Sequence, residues 1–185
     1  MEGDAALAVR AAAGDRNAFG ALIERYQAAV RRLTRAVTGD THDADDAAQD
    51  AFLSALDRIE TYDSARPFGP WLMRIATNAA IDLVRRRAVR RADALDERSP
   101  VRGPTPATDA EAGEIRERLA VALRALPERQ RVAVTLFDVE GYSHAEIAAV
   151  LEIPEGTVRS DVFHARRALR VALEAFDPGR QLEER

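Results

Sequence analysis

Ser143-His144-Ala145-Glu146-Ile147-Ala148-Ala149-Val150-Leu151-Glu152-Ile153-Pro154-Glu155-Gly156-Thr157-Val158-Arg159-Ser160 is the stretch on which the fold turns. Ser143 followed three positions later by Glu146 is a capping box: the serine accepts from the backbone at Glu146 and the glutamate reaches back. It opens a short helix through Ile147, Ala148, Val150 and Leu151. Glu152-Ile153 leaves room only for a tight connection, and Pro154-Glu155-Gly156-Thr157 starts a longer helix bearing Val158, Val162, Ala165, Leu169 and Leu173. Two helices joined by so short a turn, with Ala148 inside the first and a basic second helix, match a helix-turn-helix whose second member enters the major groove of DNA. An αα-hairpin that only packs is the other reading. Under the first, Arg159, Ser160 and His164 project from the outer side of the second helix, with groups that reach phosphates and base edges.

Upstream, a helix from Glu114 to about Leu126 stops before Pro127, and another, about Glu128 to Val139, carries Val132, Val134, Leu136 and Phe137 before Gly141 breaks the chain. The first half shows the same period. Phe19, Leu22, Ile23, Tyr26, Val30, Leu33 and Val37 trace one stripe that ends at Gly39. Asp43 to Ile59 follows with Ala48, Ala51, Phe52, Ala55, Leu56 and Ile59. Pro67 to Arg91 follows with Phe68, Trp71, Leu72, Ile75, Ala79 and Leu83, its two prolines in or near the first turn, where a missing N–H costs little. Trp71 lies in that stripe, which predicts core packing rather than base contact. No alternating stretch of convincing length interrupts these patterns.

The chain therefore reads as all-α, with two small helical domains. Between Ala92 and Gly113 the stripe gives way to Ser99-Pro100-Val101-Arg102-Gly103-Pro104-Thr105-Pro106, a flexible linker. The boundaries are 1–91 for the first domain, 92–113 for the linker, 114–176 for the helix-turn-helix domain and 177–185 for a C-terminal tail.

Composition narrows the function classes. Among 185 residues there is no cysteine, which removes disulfides, thiol nucleophiles and thiolate metal sites, and His42, His144 and His164 show no ligand spacing. No cofactor is expected. Glycine-rich phosphate loops, metal clusters and nucleophile–base pairs are missing, so the chain does not read as an enzyme. No apolar run approaches a membrane span and the N-terminus lacks the pattern of a signal peptide, which predicts a cytoplasmic protein without membrane insertion.

A net charge of −4 conceals a division along the chain. From Asp40 to Asp63 there are eight acids against the single Arg58, a face that repels DNA. Arg85, Arg86, Arg87, Arg90 and Arg91 stand together without an acid, and Arg159, Arg166, Arg167 and Arg170 form a second cluster. Either cluster suits phosphate, and either is also what a solvated helix face looks like. Asp46, Gln49 and Asp50, at spacings of three and four, share one helical face.

Three motifs make the chain resemble the sigma factors of the sigma-70 family, specifically the small extracytoplasmic-function (ECF) group. Ala44-Asp45-Asp46-Ala47-Ala48-Gln49-Asp50-Ala51-Phe52 is similar to the family's core-polymerase-binding helix. Trp71 to Arg86 is similar to the helix that opens the −10 promoter element. Leu126-Pro127-Glu128-Arg129-Gln130-Arg131, then Gly141 to Ala148, then Pro154 to Ser160, resemble the −35-reading domain.

The resemblance implies that Asp46, Gln49 and Asp50 face the clamp helices of the largest subunit of core RNA polymerase, with the beta flap as a further contact. It implies that Asn78, with the loop Glu60 to Arg66 that holds Tyr62 and Asp63, forms a pocket for a flipped non-template base, while Arg85 and Arg86 grip promoter phosphates. Thr157, Arg159, Ser160, Asp161, His164 and Arg167 become the −35 contacts, although Asp161 and His164 stand where the family commonly has arginine. A carboxylate at Asp161 accepts from a cytosine amino group or pairs with Arg159. The implied function is promoter-directed transcription initiation, with an anti-sigma factor as a controlling partner. The alternative is a stand-alone helix-turn-helix regulator binding operator DNA, which leaves Asp46, Gln49 and Asp50 without a role.

Overall fold

The computed structural model describes residues 2–93 and 110–174. Its first helix, α1 (Asp4–Ala12), buries Leu7, Ala8 and Ala11. α2 (Arg16–Thr38) begins where the Asp15 carboxylate accepts from the backbone N–H groups of Asn17 (2.9 Å) and Ala18 (3.2 Å). It stops at Gly39, which takes φ +72° and donates to the Arg35 carbonyl, the left-handed cap that glycine alone adopts without strain. Asp40 then caps α3 (Thr41–Asp57) by accepting from Asp43 N–H, which holds the Asp40 carboxyl below the usual carboxylate range.

The inner face of α3 is alanine: Ala44, Ala47, Ala48, Ala51 and Ala55 are all buried. With nothing beyond Cβ on that face, α2 and α4 (Phe68–Asp93) come in close on either side, and Leu33, Leu72 and Met73 fill the space between. Phe52 is half-buried rather than inward, and Leu56 is exposed, because alanine alone occupies the contact.

The second half contains α5 (Ala110–Ala125), α6 (Glu128–Val134), α7 (His144–Leu151) and α8 (Glu155–Glu174). α6 passes into a π-helical turn over Thr135–Val139, where a continuous α-helix is the sequence expectation, and Tyr142 N–H closes the turn onto the Leu136 carbonyl. The capping box forms as read: Glu146 N–H donates to Ser143 Oγ (3.3 Å), and Ser143 N–H donates to Glu146 Oε2 (2.8 Å). Glu152 turns the corner at φ 55°.

Among the described residues every regular element is helical. Helix extends to Asp93 and resumes at Ala110, both inside the 92–113 stretch read as a linker. Residues 94–109 and the tail 177–185 lie outside the described residues. The two halves meet. One apolar cluster runs from Leu22 and Leu72 in the first to Val132, Ile147 and Val158 in the second, with a small separate cluster of Leu126, Val134 and Ala165.

Leu72 of α4 is fully buried in the core that α2, α3 and α4 share. Leu72→Ala is expected to cost about 2–5 kcal/mol, and Val9→Ala, on the open face of α1, within about 0.5 kcal/mol, both read from urea unfolding midpoints.

Candidate nucleic-acid interface

The alanine face of α3 turns its acids outward. Asp46, Gln49 and Asp50 are exposed together; His42 Nδ1 lies 3.2 Å from Asp46 Oδ2, and Asp50 lies 4.0 Å from Arg86 on α4. Asp45 pairs with Arg31 at 2.8 Å. Asp43 behaves differently: it is buried, burial pushes its carboxyl above the usual range, and Arg87 of α4 supplies its counter-ion. The arginine cluster at the end of α4 is thus anchored by an acid from α3 at one position, while Arg85 and Arg86 stay exposed.

On α4 the spacing puts Trp71, Asn78 and Arg85 seven residues apart, two turns each, so they line one face along about 20 Å of helix. Asn78 is exposed, and Arg85 lies 4.0 Å from Glu128. At the head of this line Tyr62 stands edge-on to Phe68 (centroids 5.3 Å apart, 83°) and 5.3 Å from Trp71, while its hydroxyl donates to the Arg66 carbonyl at 2.5 Å. Burial raises the Tyr62 phenol, which keeps it neutral. Asp63 accepts from Ala65 N–H (3.0 Å) and sits 3.4 Å from Arg66, so it shapes the loop and remains open to solvent. Trp71 packs against this aromatic group on one side and is half-exposed on the other, where core packing alone had been expected. A cavity of about 540 Å³ opens beside it, walled by Tyr62, Pro67, Pro70, Trp71 and Arg74, with Ala145, Glu146 and Ala149 of α7 opposite.

On α8, Val158, Val162 and Ala165 are buried, which leaves Arg159, Ser160, His164 and Arg167 on the outer face, and Thr157 half-buried at its start. Arg159 is held at 2.6 Å by Glu155, one turn back. The expectation fails at Asp161. It is buried at 4% exposure and clamped by Arg129 of α6 (Nε to Oδ2 2.6 Å, Nη2 to Oδ1 3.3 Å), so it neither meets a base nor pairs with Arg159. Arg166 is also engaged, donating to Asp138 (Nε, 2.9 Å) and lying 5.0 Å above the Phe137 ring, which itself stacks on His144 at 4.3 Å.

Two residues of this surface escaped the sequence reading. Phe163 is 62% exposed on the outer face of α8, edge-on to His164. The one signal for it was its absence from the buried stripe. Arg74 lines the cavity and reaches Glu152 at 2.8 Å, a pairing across 78 positions that no local pattern announces.

Among the described residues, no helix is long and apolar enough to cross a membrane. A family model for Sigma-70 region 2 matches residues 22–90, and one for Sigma-70, region 4 matches 116–169. The ECF RNA polymerase sigma factor SigE of Mycolicibacterium smegmatis is 37% identical over 88% of this chain, which spans 65% of that longer protein. The ECF RNA polymerase sigma factor SigM of Mycobacterium tuberculosis is 36% identical over 95% of this chain and 87% of its own length. A solved structure of CnrH in complex with the cytosolic domain of CnrY superposes with a TM-score of 0.73 at 30% identity, covering 94% of this chain and 99% of that one.

Opposite outcomes are expected for two neighbours on α8. Asp161→Ala, by removing a buried carboxylate and its two bonds from Arg129, lowers the melting temperature by a few degrees and leaves the salt dependence of −35 duplex binding unchanged. Arg159→Ala leaves the melting temperature in place and reduces that salt slope by about one, as loss of one phosphate contact requires.

Proposed function

The chain belongs to the sigma-70 family, in its extracytoplasmic-function group, and on that premise we propose how its surfaces divide the work of promoter recognition. The exposed acids of α3, Asp46, Gln49 and Asp50, dock on the clamp helices of core RNA polymerase, with the beta flap receiving the second domain. The line Trp71, Asn78 and Arg85 on α4, with Arg86, Tyr62 and Asp63, takes the opened −10 strand. An unpaired base needs a polar edge and a stacking surface, and Asn78 beside Tyr62 and Trp71 supplies both, while the arginines neutralise phosphates.

The outer face of α8 enters the −35 major groove. Arg159 and Arg167 suit phosphate or guanine, Thr157, Ser160 and His164 suit polar base edges, and the bare ring of Phe163 suits a thymine methyl. Asp161 has no place in this set. The work is binding and strand capture without bond chemistry, so the chain is not an enzyme, and it acts in the cytoplasm where polymerase and promoter are.

Control by an anti-sigma factor follows from the same premise: the similar protein CnrH is solved with the cytosolic domain of a second protein bound to it. With no cysteine in 185 residues, a redox signal would have to be read by that partner.

The observation that carries this reading is the sorting of charge on one scaffold, acids outward on α3 and arginines on α4 and α8. A stand-alone operator-binding regulator would leave the α3 face idle. Run-off transcription with purified core polymerase on a library of genomic promoters is expected to give specific transcripts only when the chain is added. Asp46→Arg is expected to reduce capture of core polymerase in a pull-down at unchanged melting temperature. Transcripts independent of the chain, or core capture indifferent to Asp46, would return the assignment to the operator-binding alternative.

A further inference from the structure

α1 lies ahead of all three motifs that carry the promoter-reading assignment, yet its first turn is tied to the −10 surface. Asp4 opens α1, where the helix dipole favours an acid, and both of its carboxylate oxygens are engaged by α2. Oδ1 pairs with Arg25, which also donates to the Glu2 carbonyl at 3.0 Å, and Oδ2 accepts from the Tyr26 hydroxyl at 2.5 Å. Burial holds the Tyr26 phenol above its ordinary range, so it keeps the proton that it donates.

The Tyr26 ring carries this contact inward. It lies 5.5 Å from the Phe68 ring, and Phe68, buried at the first position of α4, lies 5.3 Å from both Tyr62 and Trp71. Tyr62 and Trp71 close the group at 5.3 Å from each other. The rings meet at angles between 43° and 83°, the tilted and edge-on arrangements that aromatic quadrupoles favour, so turning one displaces the next. Of the four, Tyr62 and Trp71 wall the cavity. α1 also packs against the turn Ile59–Thr61, which leads directly into Tyr62. The Tyr62 phenol is raised first by its burial and next by the Asp4 carboxylate, which places that charge within reach of the cavity wall.

Stability alone does not account for Asp4. Leu7, Ala8 and Ala11 supply the core packing of α1, whereas the Asp4 side chain is 27% exposed and fills no apolar space. What its hydrogen bond fixes is the depth and rotation of the Tyr26 ring, and with it the seat of Phe68.

We propose that Asp4 is a positioning residue for capture of the −10 strand: acting through Tyr26 and Phe68, it holds Tyr62 and Trp71 in the arrangement on which an unpaired base stacks. The inference rests on the −10 assignment above. It gives α1 a part in reading DNA from behind the reading surface.

Trp71 is the only tryptophan in the chain, so its fluorescence reports on the group without a label. In the free chain Tyr26→Phe keeps the ring and removes the hydroxyl, and Asp4→Ala removes the acceptor. Each is expected to shift Trp71 emission to longer wavelength and to raise its quenching by acrylamide. The double variant is expected to do no more than either alone, as members of one contact require. Asp4→Asn, whose amide oxygen still accepts from Tyr26, is expected to rescue both readouts.

With core polymerase bound, anisotropy of a promoter duplex with an unpaired −10 strand is expected to show affinity reduced about three- to tenfold by either single variant, the worth of one hydrogen bond. An abasic site at the −10 base whose removal costs the unmodified chain most is expected to erase that difference, which a general loss of folding would not do. Variants that weaken intact and abasic strands equally, or that leave Trp71 emission unmoved, would overturn the proposal. Trp71→Ala and Tyr62→Ala separate the two ideas. If these weaken strand capture and Asp4→Ala does not, α1 has no part and the −10 assignment stands. If neither weakens it, the −10 assignment falls and takes this inference with it.

Discussion

The contact on which the rest depends is the alanine face of α3. Five alanines at helical spacing present no side chain longer than a methyl, so α2 and α4 approach α3 closely and the large residues, Leu33, Leu72 and Met73, come from the neighbours. This fixes the rotation of α3. Its acids have nowhere to go but outward, except Asp43, which is buried and must find Arg87. An α3 turned by a quarter would bury Asp46 or Asp50 without a counter-ion. The same closeness sets the acidic α3 and the arginine-bearing α4 side by side, so a protein of net charge −4 carries a face that repels nucleic acid and a face that attracts it.

Local features of this fold were legible because their causes are local. Gly39 and the Ser143–Glu146 box act within four residues, and the stripes of α2 and α4 follow from the period of the helix itself. What the sequence concealed was decided by partners far along the chain. Asp161 sits among basic and polar residues on the helix proposed to read the −35 element, and nothing near it tells of Arg129, 32 positions earlier on α6. Trp71 belongs to an apolar stripe, yet its rim is open because the aromatic packing ends at Tyr62 and the cleft begins there. The π turn after Val134 replaces helix where Leu136 and Phe137 still keep an apolar pattern. The charge clusters told which surfaces carry sign, but not which arginines are spent inside the fold. Arg166 and Arg87 are committed to Asp138 and Asp43, while Arg159, Arg167 and Arg86 remain on the surface.

Those commitments separate two kinds of charge. Pairs such as Arg129–Asp161 and Arg87–Asp43 join one buried acid to one arginine and position helices, whereas Arg159–Glu155 and Asp50–Arg86 are exposed, weak and exchangeable. A phosphate offers Arg159 or Arg86 more than the carboxylate it leaves. Nearby acids oppose that exchange, and under the proposed docking of α3 on polymerase their cover favours it.

Fluorescence anisotropy of a labelled promoter duplex with an unpaired −10 strand tests this account most directly. The chain alone, at about 0.15 M salt, is expected to bind weakly, and core polymerase to tighten binding by at least about a hundredfold, a gain that Asp46→Arg removes. Tight, sequence-specific binding by the chain alone, unchanged when core polymerase is added, would contradict it.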